Sequence, residues 1–188
     1  MTGVQTCALP ISAQPITSAA PTTSGDLTVR RGMPDNAEQI AAFLSERTGQ
    51  SVSRMDVMMT FGQKSYHVAE GKNAQLQGVM GWTVENLVTR VDEIHLAPNA
   101  AVTPLISALV NAIEAGSHEL QSEVSFIFLG EGAPAEVAQA FQANGYAPTT
   151  LPEIKIPVWR EAVEEALSAA KRSILWKQLR QDRVLQPI

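Results

Sequence analysis

The chain has 188 residues, 45% of them hydrophobic, and 14 basic against 19 acidic side chains give it a formal charge of -5. That length suits one domain with a full core, since roughly 100 to 200 residues per domain is usual. The acidic balance argues against a broad nucleic-acid or anionic-membrane surface, and no apolar run approaches the ~20 residues needed to cross a bilayer, so a cytoplasmic protein with a small-molecule or protein ligand is expected.

Residues 1–11 (MTGVQTCALPI) resemble, codon for codon, the translation of a short-read sequencing adapter, and are expected to stand outside the native protein. Cys7, the only cysteine, lies among them, which removes disulfides and cysteine metal sites from the expected chemistry. Residues 12–26 (SAQPITSAAPTTSGD) have no periodic apolar face and read as a flexible, disordered linker. Alternation over 27–31 predicts a strand. Pro34 then opens a helix carried by Ala37, Ile40, Ala41 and Leu44 and stopped by Gly49. Met55, Met58, Met59 and Phe61 predict a second short helix whose methionines fill the core.

Three strands follow. Residues 66–70 and 76–84 form a hairpin, with Leu76, Met80, Trp82 and Val84 on one face; 89–96 place Asp92, Ile94 and Leu96 on one face and Val91, Glu93 and His95 on the other. Thr103 and Pro104 read as the cap and first residue of a helix with the apolar stripe Leu105, Ile106, Leu109, Val110 and Ile113. The run VSFIFL at 124–129 predicts a strand covered on both faces. Residues 134–144 predict a helix ended by Gly145, residues 154–156 a short edge strand, and residues 159–180 a last amphipathic helix. Strands and helices in this mixture predict an α/β layer structure.

The order of these elements, with LTVRRGMPDNAEQIAAFL, YHVAEGKNAQLQGVMGW, VDEIHLAP and VAQAFQANGYAP, resembles the GNAT superfamily of N-acetyltransferases over residues 27–146. The resemblance implies a mixed central sheet flanked by helices, here over 27–157, with the C-terminal helix and tail (158–188) added to it. It also implies acetyl-CoA or another acyl-CoA as cofactor and an amine as acceptor. VDEIHLAP is similar to the strand leading into the family's pyrophosphate loop, which assigns cofactor binding to Leu96, Asn99, Ala100, Ala101, Val102 and Thr103. Such loops work as anion nests, in which aligned N–H groups at a helix N-terminus donate to phosphate. Against the family pattern Q/R-x-x-G-x-G/A, Ala101 stands at the Q/R, Pro104 at the first glycine and Ile106 at the last small residue, while Val102 replaces another common glycine. Pro104 has no N–H to give, and Val102 and Ile106 add bulk.

Amine acylation needs a base for the amine and a donor for the leaving thiolate. Glu93 lies where family members often carry a glutamate and shares a strand face with His95, so these two are the expected catalytic residues. Phe141 stands where the family often has a proton-donating tyrosine, so the sequence leaves that donor unassigned. His67 is expected to be satisfied by a neighbour and His118 to lie in a loop; neither the histidines nor Ser65, Ser107 and Ser125 form a metal or nucleophile pattern. The stripe Trp159, Val163, Ala166, Leu167, Ala170 and Ile174 must cover something, either the protein's own sheet or a second copy in a homodimer. The apolar tail 181–188 is expected to dock. Two functions are carried forward: a divergent N-acyltransferase, and a catalytically silent ligand-binding or interaction module of the same fold.

Overall fold

The computed structural model of the protein describes residues 22–24, 27–168 and 172–181. The strands are β1 (Thr22–Ser24), β2 (Leu27–Arg31), β3 (Ser65–Glu70), β4 (Leu76–Glu85), β5 (Val88–Leu96), β6 (Val124–Gly130), β7 (Ala147–Thr149) and β8 (Arg172–Gln178). The helices are α1 (Ala37–Thr48), α2 (Arg54–Thr60), α3 (Val102–Glu119), α4 (Ala135–Ala143) and α5 (Pro157–Ser168). The strands join in one eight-stranded sheet of order β1-β2-β3-β4-β5-β6-β8-β7. β5 and β6 run parallel, and every other neighbouring pair is antiparallel. The expected α/β architecture is therefore present.

Three apolar clusters hold helices to the two faces. On one face Leu105, Ile106, Leu109 and Ile113 of α3 and Val137 and Phe141 of α4 pack on Met80, Trp82, Val91, Ile127 and Leu175. On the other, Ile40, Phe43 and Leu44 of α1 and Val57 of α2 pack on Tyr66, Val68 and Val79. Farther along that face Trp159 and Val163 of α5 meet Phe126, Phe128 and Ile174. The apolar stripe of α5 is thus covered by the chain's own sheet. Gly49 ends α1 in the left-handed region at φ 69°, where a side chain would be strained.

Several sequence expectations give way to tertiary context. Thr22–Ser24, assigned to the linker, pairs with β2, because backbone hydrogen bonding to an edge strand needs no apolar face; residues 1–21 and 182–188 lie outside the described residues. α2 turns Met55 and Met59 to solvent at 67% and 69% exposure, leaving Val57 as its buried residue, so those two methionines do not fill the core. Leu76 packs with Val79 on the α1 side, away from Met80 and Trp82, because a register shift at Ala69/Glu70 moves the start of β4. The first residue of α3 is Val102 with Ala101 as cap, so Thr103 and Pro104 are its second and third residues. His118 belongs to the last turn of α3.

The largest correction concerns the C-terminus. The edge strand is β7 at Ala147–Thr149, while Ile154 follows a 3₁₀ turn and is buried beneath α5. The helix expected to reach Arg180 ends at Ser168, and Arg172–Gln178 re-enters the sheet between β6 and β7. In that strand Ile174 joins the α5 cluster and Leu175 the α3 cluster, the period-two alternation of a strand buried on both sides. Trp159 closes α5 on this inner strand, with its ring 6.5 Å from Phe126 and 6.4 Å from Trp176. Trp159→Ala is expected to lower the unfolding free energy by about 3 to 5 kcal/mol in chemical denaturation; a change below about 1 kcal/mol would contradict this packing.

Candidate functional site

β5 and β6 pair only from Val88↔Val124 to Val91↔Ile127, although β5 continues to Leu96 and β6 to Gly130. The reason lies in β4: Gly81 opposes Glu93 but Trp82 opposes Val91, so Asp92 is an extra residue. Such a bulge bends its strand and increases local twist. Beyond it, the β6-facing edge of β5 has no strand partner among the described residues. The bulge also corrects the expected alternation, since Val91 packs with Trp82 and Ile94 on the α3 side while Glu93 and His95 stay on the other face.

A polar cluster gathers around Glu93 just past this parting. Its Oε2 accepts a hydrogen bond from Tyr66 Oη at 2.9 Å and lies 3.3 Å from Lys64 Nζ, while its Oε1 lies 3.5 Å from His95 Nε2. Lys64 also donates to Asp92 at 2.7 Å. Burial works to raise the Glu93 pKa, but hydrogen bonding from His95, the Lys64 charge and the Tyr66 hydroxyl outweigh it, and the carboxyl lies below its ordinary value. Burial and the Glu93 charge push the Tyr66 phenol up. Phe61 fixes the Tyr66 ring edge-on at 5.8 Å. Room for the cluster comes from Gly81, where a Cβ would stand 2.9 Å from Lys64 Cδ, 3.0 Å from Tyr66 Cε1 and 3.1 Å from Glu93 Cβ.

The loop after β5 is held by Ala97 N–H to Gln77 O at 2.8 Å and Ala100 N–H to Ala97 O at 3.1 Å. The side chains of Leu96, Ala100 and Val102 pack on the core, whereas Asn99, Ala101 and Thr103 are exposed. Val102 and Thr103 lie in the first turn of α3, where N–H groups have no helical acceptor and the dipole favours an anion. Pro104 withholds the next N–H. Ile106 is 0% exposed and Leu105 is 1% exposed, so the bulk expected at Ile106 faces the core and leaves the loop open. A cavity of about 640 Å³ borders the loop at Ala101 and Pro104 and includes Lys72 and Asn73 of the β3–β4 turn. A second, of about 510 Å³, takes in Asn99 and Arg47. Neither includes Glu93 or His95.

The sequence reading thus singled out Glu93, His95 and the loop, and the structure brings the first two together with the loop at the end of the same strand. It missed Lys64 and Tyr66, which stand 29 and 27 residues before Glu93 and carry no motif. It also missed Arg172, whose Nη1 donates to Asp92 O at 2.8 Å across 80 residues. Phe141 is buried, with its ring 5.9 Å from that of Tyr146, and has no place at the cluster.

No family model matches the chain, and no curated protein matches it. Solved structures do. A GNAT superfamily phosphinothricin acetyltransferase from Sinorhizobium meliloti, in complex with acetyl-CoA, superposes with a TM-score of 0.64 at 14% identity, over 87% of this chain and 94% of that one. An acetyltransferase of the GNAT family from Staphylococcus aureus gives 0.60 at 10% identity, over 82% and 99%. A ribosomal-protein-alanine N-acetyltransferase from Brucella melitensis gives 0.58 at 13% identity, over 80% and 98%. At these identities the likeness shows the fold: the chain has the GNAT fold, a mixed sheet flanked by helices, with α5 near its C-terminus.

His67 serves this frame without joining the cluster. Its Nδ1 accepts from Trp82 Nε1 at 2.8 Å, and the rings stack at 5.5 Å. Burial, aided by the Arg31 charge, lowers its pKa to about 4. Above pH ~6.5 both folded and unfolded states leave this imidazole neutral, but below it the unfolded chain takes up the proton first. Stability is therefore expected to fall between pH ~6.5 and ~4, by up to about 3 kcal/mol from this residue. Urea titrations across that range should show a flatter pH dependence in His67→Gln than in the wild type; parallel curves would contradict the assignment.

Proposed function

We propose that the protein is a divergent acyl-CoA-dependent N-acyltransferase that moves an acetyl or other acyl group to an amine. The observation that carries this reading is the parting of β5 from β6 beside Glu93 and His95. The free edge of β5 offers backbone groups to an extended, amide-bearing arm, the chemistry by which a strand edge accepts an added strand. The pantetheine arm of coenzyme A is such a group. At the end of the same strand, the Val102 and Thr103 N–H groups suit its pyrophosphate, though Pro104 leaves that cradle one donor short. The residues fit the arm well and the phosphates less tightly.

Bound acyl-CoA supplies an activated thioester; the chain's own residues handle the amine. Asp92 and Glu93 balance Lys64 and the nearby Arg172, and the Glu93 carboxylate offers an acceptor oxygen to the N–H of a neutral amine. Glu93, ionised at neutral pH by its three partners, orients it. His95, whose Nε2 faces the Glu93 carboxylate, takes the amine's proton on its other ring nitrogen, with that carboxylate stabilising the resulting charge.

Calorimetry with acetyl-CoA tests the reading. Micromolar binding is expected, with a rise in thermal stability, since ligand at about a hundred times its dissociation constant adds roughly 2.7 kcal/mol. Absence of binding at millimolar acetyl-CoA would overturn it. Restoring the missing donor in Pro104→Ala should tighten binding about tenfold, the equivalent of about 1.4 kcal/mol and in the range of one hydrogen bond to a charged group. Glu93→Gln should retain acetyl-CoA affinity and lower acetyl transfer at least about a hundredfold in a screen of amines; unchanged transfer would remove Glu93 from the chemistry.

A further inference from the structure

Arg172 opens β8 opposite Gly130, the last residue of β6. Its half-buried side chain reaches past the end of β6 and donates from Nη1 to the Asp92 carbonyl oxygen at 2.8 Å. Asp92 is the bulged residue, immediately after the last pair that joins β5 to β6. The guanidinium therefore bridges the parted strands one residue from Glu93. A guanidinium carries five N–H donors, and among the described residues this one makes no ion pair. Lys64, by comparison, is answered by Asp92 and Glu93, and Lys177 by Glu114. A partly desolvated cation without a counter-ion is costly unless negative charge arrives beside it.

The transfer reaction produces such charge and lacks a proton donor for it. The sequence has two tyrosines and both are committed, Tyr66 to Glu93 at 2.9 Å and Tyr146 to Ser125 at 3.0 Å. We propose that Arg172 is a catalytic residue of the acyl transfer, holding by charge the oxygen and sulfur that become negative; this rests on the acyltransferase reading. The nitrogen of the neutral amine bonds to the acyl carbon, the carbon–sulfur bond breaks with its electron pair on sulfur, and the excess proton on nitrogen goes to His95. Arg172 acts through its charge and its N–H donors and is not the proton donor of the step. It stabilises the thiolate in place.

Titration of the thiol of bound coenzyme A, followed by thiolate absorbance, tests this without any acceptor. The charged and titratable groups around the parting are Asp92, Glu93 and His95 of β5, Lys64 just before β3, Tyr66 of β3, and Arg172. In the wild-type chain the bound thiol should titrate about 1 to 3 units below free coenzyme A, the effect of an opposite charge within ~4 to 6 Å. In Arg172→Gln it should return to the free value, and Arg172→Lys, which keeps the charge, should retain part of the shift. Equal titration in the wild type and Arg172→Gln, or an unshifted wild-type thiol, would overturn the role of Arg172 while leaving the acyltransferase reading intact. Failure of the wild type to bind coenzyme A would overturn both. If Arg172→Gln does not fold, a shift lost in a folded Arg172→Lys counts against the proposal and a shift retained counts for it.

Discussion

The parting of β5 and β6 after Val91 and Ile127 is the constraint on which the candidate site depends. A sheet interior ordinarily satisfies its backbone groups across both edges of each strand. Here one inner strand is bent away from its parallel neighbour by a single extra residue, Asp92. That leaves a strand edge open in the interior of the sheet, at the C-terminal ends of the two parallel strands, where the loop leading into α3 begins. Crevices at that end of parallel strands are the general location of ligand sites in open α/β sheets.

Packing around the parting makes the opening stable. Trp82 and Ile94 tie β4 and β5 to α3, while Phe126 and Phe128 of β6 lie under α5. Both strands are also clamped from the two faces, with Val91 and Ile127 under α3 and α4 and Val88, Phe126 and Phe128 on the α5 side, so the paired part stays fixed while the strands diverge beyond it. β8 completes the arrangement by flanking β6 over seven paired residues, from Val124↔Gln178 to Gly130↔Arg172, and by delivering Arg172 back to Asp92. Gly81 has a comparable role on the other face. By offering no side chain, it lets Lys64, Tyr66 and Glu93 meet in a space that a methyl group would fill. The chemistry proposed for Glu93 thus rests on a missing atom in the adjacent strand.

Much of this was legible in the sequence. Alternation placed Glu93 and His95 on one face, and their mutual distance of 3.5 Å follows from i, i+2 spacing on a strand. Helical periodicity identified the buried stripe of α3, and the continuous apolar run identified β6 as an inner strand. The bulge was not legible, because it is a relation between two strands and leaves no mark on either alone; Val91 was misplaced for that reason. Lys64, Tyr66 and Arg172 join the site through tertiary contacts over 27 to 80 residues, without a motif. The C-terminal strand was hidden by ambiguity of period, since Ile174 continues the helical spacing of Val163, Ala166 and Leu167 while Ser173 to Lys177 also alternates as a strand buried on both sides. Position in the sheet decided between them. The loop shows the converse error: Ile106 looked obstructive beside the family's small residue, but its side chain turns inward.

The most direct measurement is amide hydrogen exchange with and without acetyl-CoA, read peptide by peptide. An open edge that receives an extended arm predicts new protection confined to β5 beyond Val91 and to the first turn of α3 at Val102 and Thr103, with α5 unchanged. Protection that spared β5 and appeared on α5, or no protection at saturating ligand, would contradict the claim that the parted strands form the working site.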